Sequence, residues 1–477
     1  MFKLLGVVVP MAAMACTVGD PVSVDDPAIS VVERHRADRF PNHIPLPDPT
    51  GSFTTVSSTG GIDLDNEFFQ DLGSNGRRCI SCHLPTAGWS TTPGQLRAVF
   101  AATRGGELPD LLGLGAVFRT NDGSNSPTAD VSTVDKRRAA YSMLLGRGLI
   151  RIGLPVPATA EFELVAVDDP YHFASASELS LFRRPLPTTN LKFLSTVMWD
   201  GRETQLGQTI HFDLAQQATD ATQGHAQGDP LTDAERESIV AMETALFTAQ
   251  IHDDAAGELG AAGAHGGPDP LITQPFYIGI NDNFGDSQTH APFTPIVFDL
   301  YSAWASGGGG SIFSTPAHRR AVARGQALFN TRTIHITGVS GLNDEPAFGS
   351  PATLAGTCTT CHDTPDSGNH SVVAPLDIGL TDASRRTPDM PLYTLRNKTT
   401  GAIKQTTDPG RALISGKWAH IGRFKGPVLR GLAARAPYFH NGFAADLRAA
   451  VDFYDGRFAI GLSAQDKSDL VAFLGSL

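Results

Sequence analysis

The sequence predicts a mainly α-helical fold that is organised around two copies of one short cysteine pattern. Cys-x-x-Cys-His occurs at residues 79–83 and again at 358–362, and segments with helical periodicity flank both copies. The 49 glycines and 32 prolines among 477 residues indicate many turns. We therefore expect two helical domains with loop-rich insertions and a small β hairpin.

The two cysteine patterns have the spacing of c-type haem attachment sites. Two thiols add across the haem vinyl groups as thioethers, and the histidine that follows them binds the iron. A redox dithiol or half of a zinc site would explain neither the histidine after both copies nor the use of four of the five cysteines. We predict two covalently bound haem c groups, which involve Cys79, Cys82, His83, Cys358, Cys361 and His362.

The first fifteen residues have the features of an export signal. Lys3 precedes an apolar stretch at residues 4–14 that is too short to span a bilayer, and residues 13–15 form a small-residue cleavage site. The mature chain is therefore predicted to work in the periplasm. Cys16 directly follows the predicted cleavage site. It is either the lipid-modified first residue of a lipoprotein or an incidental cysteine of a secreted chain.

Charge and hydropathy exclude some partners. The net charge is −12 and no basic stripe is present, which argues against nucleic acid as a partner. An acidic surface would suit a basic redox protein, although mild acidity is also an ordinary surface property. No segment after the signal has eighteen uninterrupted apolar residues, so no transmembrane span is predicted.

Composition and periodicity divide the chain into four predicted segments. The signal peptide covers residues 1–15, and an N-terminal extension or linker that is rich in Pro, Asp, Ser and Thr covers 16–60. The N-terminal haem domain with its insertion covers 61–312. Glycine-rich loops end that segment, and the C-terminal haem domain covers 313–477.

Individual elements of the first half follow from local patterns. Residues 136–149 are helix-like and residues 162–167 alternate like a strand, which indicates an insertion with a small hairpin beside the first haem. The clearest helix covers residues 231–250, where Thr232 is the predicted N-cap and Glu235 completes a capping box.

The second half is predicted to contain three helices. One begins at Thr315-Pro316 and leads to the second cysteine pattern. Asp446 and Ser463 are the predicted N-caps of two further helices near the C-terminus.

Three further motifs lie between and after the cysteine patterns. Residues 198–202 read MWDGR, residues 424–430 read FKGPVLR and residues 436–442 read APYFHNG. They are similar to the W-D-G-R, F-K-x-P-x-L-R-N and A-P-Y-F-H-x-G motifs of one family, in the same order. From about residue 60 to its end, the chain thus resembles the bacterial di-haem cytochrome c peroxidase and MauG superfamily.

The resemblance implies roles for Trp199 and Tyr454. The family's tryptophan lies between the two irons and relays oxidising equivalents, whereas a buried structural tryptophan is the alternative. Tyr454 stands where family members carry the sixth ligand of the C-terminal haem, which is Met in the peroxidases and Tyr in MauG-like members. A phenolate favours high iron oxidation states, so the chain resembles the MauG-like branch. Met390 is the competing ligand.

The N-terminal haem is then expected to be the reactive one, with an open iron face and a distal acid or base. The family uses a Gln and a Glu after W-D-G-R. Gln217 matches the Gln loosely, and Gln227 stands where the family has Glu. His225 is the nearest group able to act as acid or base, although a lone histidine is more often structural.

Other residues of the motifs are expected to have supporting roles. Asp200 and Arg202 suggest an internal ion pair or propionate contacts, and His440 a propionate contact or a structural role. The family also binds one Ca²⁺ between its domains, partly through backbone carbonyls near Pro437, but its Asn ligand is not evident near Arg184.

Together these features predict an exported di-haem c-type oxidoreductase. Hydrogen peroxide would react at the N-terminal haem, and the C-terminal haem would share the oxidising equivalents. The reductant is a small redox protein or a side chain of a partner protein. The alternatives are a non-catalytic di-haem electron carrier and a di-haem oxygenase acting on an apolar substrate.

Overall fold

A computed structural model describes residues 39–110, 112–306, 311 and 314–477. The predicted signal peptide, Cys16 and the predicted domain boundary at 312/313 lie outside the described residues. Among the helices that the structure describes, none combines the length and apolar character needed to cross a bilayer.

Helices account for 32% of the residues and strands for 16%, so helices predominate over several small sheets. Short 3-10 turns and loops make up much of the remainder. The α-helices of the described residues are α1 Pro93–Thr103, α2 Val134–Ala140, α3 Ser142–Arg147, α4 Ile210–Ala221, α5 Asp233–Thr244, α6 Asp269–Thr273, α7 Thr315–Thr331, α8 Ala412–Ser415, α9 Leu447–Phe458 and α10 Ala464–Gly475.

The strands of the same residues are short. They are β1 Arg39–Phe40, β2 Leu46–Asp48, β3 Gly51–Ser57, β4 Ile62–Asp63, β5 Ile150–Leu154, β6 Phe162–Asp168, β7 Leu179–Arg183, β8 Leu246–Asp253, β9 Gly257–Glu258, β10 Ile334–Ile336, β11 Leu354–Gly356, β12 Leu392–Asn397 and β13 Ile403–Thr406. The largest sheet has the order β2-β3-β8-β9, and every pair in it is antiparallel.

The predicted helix caps are present. Thr232 Oγ1 accepts a hydrogen bond from the Glu235 amide, and the Glu235 carboxylate accepts one from the Thr232 amide at 2.8 Å. Asp446 and Ser463 cap α9 and α10 in the same way, through side-chain oxygens. These signals are local, so the sequence alone determines them.

Three predicted elements are wrong in detail. The helix predicted to reach residue 250 ends at Thr244, and β8 follows because residues 246–250 are buried on both faces against β3. Residues 46–57, predicted as part of an irregular extension, form β2 and β3. Residues 162–168 do not form a local hairpin, since β6 pairs with β12 more than 200 residues later.

The C-terminal core is built where α7 crosses α10. A Cβ on Gly325 would lie 2.0 Å from the carbonyl oxygen of Asp469, so only glycine allows the two backbones to approach this closely. The ring of Phe298 packs edge to face on Phe329 and Phe473, which are tilted against each other, and the three centroids lie 5.3 to 5.6 Å apart. This core supports the second cysteine pattern, because Phe329 also contacts the ring of His362.

A buried charge network connects β7 to the motif at residues 198–202. Arg183 donates to Asp200 at 2.5 Å and makes a two-pronged contact with Asp408 at 2.7 and 2.9 Å. Burial would raise the pKa of Asp200, but Arg183 and Arg202 together lower it to about 2. Asp200 and Arg202 therefore form the internal ion pair that the sequence suggested, at 3.3 Å.

We predict that removal of one partner from this network is costly. Asp408→Ala leaves the buried Arg183 guanidinium without its two-pronged partner, which should lower the free energy of unfolding by about 3–5 kcal/mol. Glu163→Ala removes one side of the exposed pair with Arg396 and should cost about 1 kcal/mol or less. Urea unfolding followed by circular dichroism tests both, and equal losses would contradict the role of burial.

Candidate functional site

The first cysteine pattern forms a tight turn that aims its histidine. A 3-10 turn spans Cys79–Ser81, and the His83 amide donates to the Cys79 carbonyl at 3.0 Å. His83 Nδ1 lies 3.3 Å from the carbonyl of Trp89, so the other ring nitrogen is left for a metal. Burial lowers the pKa of His83 to about 4, which keeps the imidazole neutral.

The second pattern repeats this geometry in a different sequence context. The turn spans Cys358–Thr360, and the His362 amide donates to the Cys358 carbonyl at 3.2 Å. His362 Nδ1 lies 2.6 Å from the carbonyl of Gly368, and burial lowers the pKa of His362. The four thiols are free cysteines. Both turns therefore fit a haem c, with thiols for attachment and one imidazole nitrogen for iron.

A cavity opens directly in front of the first pattern. It contains about 1520 Å³ of atom-free space, a volume that includes space open to solvent. Its walls are mostly apolar. The predicted site residues that line it are Cys79, Cys82, His83, Trp199, Gln217 and His225. Residues separated by up to 146 positions in sequence thus converge on one space.

His225 faces this cavity with a fixed orientation. A π-helical turn at Thr222–Ala226 extends α4, and His225 Nδ1 lies 2.5 Å from a carboxylate oxygen of Asp122. Arg77 donates to the other oxygen of Asp122. Burial would raise the pKa of Asp122, but Arg77 and His225 together lower it, so the carboxylate stays ionised. A histidine held through Nδ1 by a carboxylate keeps Nε2 available for proton transfer or for a metal.

Gln217 and Gln227 have different positions. Gln217 lies on α4 and lines the cavity. Gln227 ends the π-helical turn in a left-handed conformation, and its side chain accepts a hydrogen bond from Asn75 at 3.4 Å. Gln227 is absent from the residues that line the cavity, whereas Gln217 and Gln70 are among them.

Glu243 is a cavity residue that sequence reasoning missed. It lies on α5, is 4% exposed and lines the cavity near Cys79. Burial raises the pKa of Glu243 to about 8, so the carboxyl is largely protonated at neutral pH. The available signal was a carboxylate that interrupts the apolar face of a helix, next to the buried Met242.

Trp199 is held in a stack of rings at the edge of the cavity. Its indole nitrogen donates to the Arg184 carbonyl at 2.8 Å, and its ring centroid lies 6.1 Å from that of His440. The His440 ring stacks on Phe424 at 3.9 Å. Burial lowers the pKa of His440 to about 4, and its buried Nε2 has no hydrogen-bond partner among the described residues. The motifs at residues 198–202, 424–430 and 436–442 therefore contact one another through these three rings.

The two candidate ligands for the second haem lie in different surroundings. Tyr454 lies on α9, and its pKa is raised by burial and by the nearby thiols of Cys361 and Cys358. Met390 is buried elsewhere, in an apolar cluster with Met143, Leu149 and Phe182. The geometry therefore brings Tyr454, and not Met390, to the second pattern.

One backbone carbonyl near Pro437 contacts a buried cation. The Arg435 carbonyl accepts a hydrogen bond from the Arg184 guanidinium at 3.1 Å. Across the described part of the chain, no cluster of three or more His, Cys, Asp or Glu side chains could hold a metal ion. Because the expected Ca²⁺ would bind partly through backbone carbonyls, it stays a prediction.

We predict that Glu243 makes stability depend on pH. Between about pH 4.5 and 8 the folded chain keeps a proton that the unfolded chain releases, so stability should fall as pH rises through this window. Glu243→Gln should flatten the dependence of Tm on pH, whereas Glu237→Gln changes an exposed carboxylate of the same helix and should not. Parallel pH profiles for wild type and Glu243→Gln would contradict an elevated pKa.

Comparisons with known proteins agree with these features. No protein-family model matches the chain. It is 30% identical over 140 residues to the cytochrome-c peroxidase IdrP1 of Pseudomonas sp. (strain SCT), a match that covers 25% of this chain and 36% of that protein. It is 33% identical over 132 residues to the cytochrome-c peroxidase IdrP2 of Denitromonas iodatirespirans, with 26% and 36% covered. The matches thus span little more than a third of each relative.

Solved structures give weaker likenesses. A MauG-like protein associated with microbial copper homeostasis is 16% identical, with 64% of this chain and 76% of that one covered and a TM-score of 0.31. A variant of the diheme peroxidase BthA from Burkholderia thailandensis is 16% identical, with 92% and 95% covered and a TM-score of 0.29. Over about a quarter of its length, the chain is therefore similar in sequence to two cytochrome-c peroxidases.

Proposed function

We propose that this protein is an exported di-haem c-type oxidoreductase that reacts with hydrogen peroxide at its N-terminal haem. The observation that carries the proposal is the cavity in front of Cys79, Cys82 and His83, because His225 and Gln217 line the same space. The names of the two matched relatives, both cytochrome-c peroxidases, support the same reaction class. Export is inferred from the signal at residues 1–15.

The chain's own residues would handle protons in this cavity. A haem c held by Cys79, Cys82 and His83 would supply the redox chemistry towards peroxide. His225 Nε2 would accept a proton from one oxygen of a peroxide in the cavity and return it to the other oxygen, which leaves as water. Asp122 stabilises the imidazolium during this step, and Arg77 keeps Asp122 ionised. The Gln217 amide can donate a hydrogen bond into the same space.

Trp199 provides the route towards the C-terminal haem. It lines the first cavity, and its ring contacts His440, which stacks on Phe424. An indole is easily oxidised and can divide one long electron transfer into two short ones. Tyr454, beside the thiols of the second pattern, would be the sixth ligand of that haem and would favour its higher oxidation states. The final reductant is a small redox protein or a side chain of a partner protein.

One observation favours a second function, that of a non-catalytic electron carrier. His225 and His83 line the same cavity. If His225 Nε2 binds the iron directly, the first haem becomes six-coordinate and has no position for peroxide.

Spectroscopy of the purified di-haem protein tests the proposed function. Mass spectrometry should first show two covalent haem groups. We expect one high-spin and one low-spin ferric signal by EPR, followed by a long-lived oxidised intermediate after one equivalent of peroxide. Two low-spin signals and no reaction with peroxide would favour the carrier. Substrate oxidation that requires O₂ and no peroxide would favour the oxygenase.

We predict that His225→Gln slows the reaction with peroxide by roughly 10²-fold or more, because a general acid–base group is lost while the cavity keeps its shape. Stopped-flow absorbance of the haem bands measures the rate. His211→Gln is the matched control, since His211 lies on α4 and forms an exposed pair with Glu237. Equal rates for both variants would remove His225 from the mechanism. A new high-spin signal in His225→Gln would instead identify His225 as an iron ligand.

We predict that Tyr454→Phe changes only the low-spin EPR signal, because the hydroxyl that would bind the second iron is lost while the ring still packs on Phe439 and Phe453. Met390→Leu should leave both signals unchanged, since Met390 packs in a separate cluster. A Tyr454→Phe spectrum identical to wild type would remove this ligand assignment.

A further inference from the structure

Arg184 is a buried cation that is surrounded by backbone carbonyls. It is 5% exposed, and its guanidinium donates to the carbonyls of Arg147 at 2.8 Å, Thr91 at 2.6 Å and Arg435 at 3.1 Å. The three acceptors come from the segment after the first cysteine pattern, from the end of α3 and from the stretch before Pro437. One side chain thus connects parts of the chain that are distant in sequence.

The charge of Arg184 has no carboxylate beside it. Its neighbour in sequence, Arg183, pairs with Asp200 and Asp408, whereas Arg184 forms no ion pair within the described ranges. Carbonyl oxygens therefore compensate the cation, as they do for bound metal ions, and one belongs to the C-terminal end of a helix, where positive charge is favoured. Burial lowers the pKa of Arg184 to about 10, so the group is charged at neutral pH.

The surrounding backbone leaves room for this guanidinium. Gly148 follows α3 with a φ of +65°, and a Cβ there would lie 2.4 Å from Nη1 of Arg184. The positive φ favours glycine at position 148, and the absence of a side chain there leaves space for Nη1.

The backbone of Arg184 forms hydrogen bonds with Trp199 and His440, whose rings contact each other. Its carbonyl accepts the hydrogen bond from the Trp199 indole at 2.8 Å, and its amide donates to the His440 carbonyl at 2.7 Å. A movement of residue 184 would therefore move both rings. The side chain and the backbone of one residue thus join the first haem segment, Trp199 and the C-terminal motif.

We propose that the Arg184 guanidinium replaces a bound metal cation at this junction and thereby positions Trp199 between the two haem-binding segments. The guanidinium already places a buried positive charge against the Arg435 carbonyl in the stretch before Pro437, and a second cation beside it would be repelled. Only the role of Trp199 in electron transfer rests on the proposed function, and Arg184 acts there as a positioning residue.

Thermal unfolding of the di-haem protein tests the replacement. Wild type should have the same Tm in EDTA and in CaCl₂. Arg184→Asn removes the cation and adds an amide oxygen, so its Tm should fall by several degrees in EDTA and recover partly in CaCl₂ but not in NaCl. A wild-type Tm that falls in EDTA and recovers in CaCl₂ would overturn the proposal. So would an Arg184→Asn variant that responds to CaCl₂ no more than wild type.

A matched control separates positioning from stability. Arg430 is also buried, and its guanidinium also donates to three carbonyls, those of Leu477, Asp366 and Gly267. Arg430→Asn should lower Tm without changing electron exchange between the haems. Arg184→Asn should slow that exchange, measured after flash photoreduction, by roughly tenfold or more, and Arg184→Lys should restore part of the rate. Equal effects of the two Asn variants on the rate would overturn the positioning role.

This measurement needs no peroxide. A protein that exchanges electrons between its haems but fails to react with peroxide would contradict the proposed function. It would not contradict the proposal that Arg184 positions Trp199.

Discussion

The orientation of two imidazole rings is the constraint on which the rest of the structure depends. In each cysteine pattern the ring is fixed through Nδ1 by a backbone carbonyl, that of Trp89 for His83 and that of Gly368 for His362. Such a bond sets the tautomer and aims the remaining nitrogen. Because the thiols stand on the same turn, attachment and iron ligation share one rigid frame. The cavity, the ring stack and α9 then take positions relative to that frame.

Buried arginines connect the segments that carry this frame. Arg183 does so with carboxylates, and Arg184 and Arg430 do so with backbone carbonyls. A guanidinium has five donors in a plane, so one residue can satisfy carbonyls from several segments at once. This suits a chain with long loops, whose backbone oxygens would otherwise be buried without partners. The cost is desolvation of the charge, which lowers the pKa of Arg184 and of Arg430.

The first cavity combines apolar walls with a few polar groups whose ionisation is set by their partners. His225 is held by Asp122, and Asp122 is kept ionised by Arg77. Glu243 has no such partner, and burial favours its neutral form. The same cavity thus contains a charged pair and a protonated carboxyl, a contrast that arises from neighbours rather than from residue type. The ionisation of these groups is therefore set by residues outside the cysteine pattern.

The two cysteine patterns and the caps at Thr232, Asp446 and Ser463 could be predicted from the sequence, because each depends on residues that are close together in the chain. The contact of Asp122 with His225, the pairing of β6 with β12 and the place of Glu243 in the cavity wall are known only from the folded chain. These contacts join segments that are far apart in sequence, and packing selects them. The conformational preferences of single residues do not indicate such partners. For the same reason, Arg184 could not be identified as a buried cation at a junction of three segments before its carbonyl contacts were known.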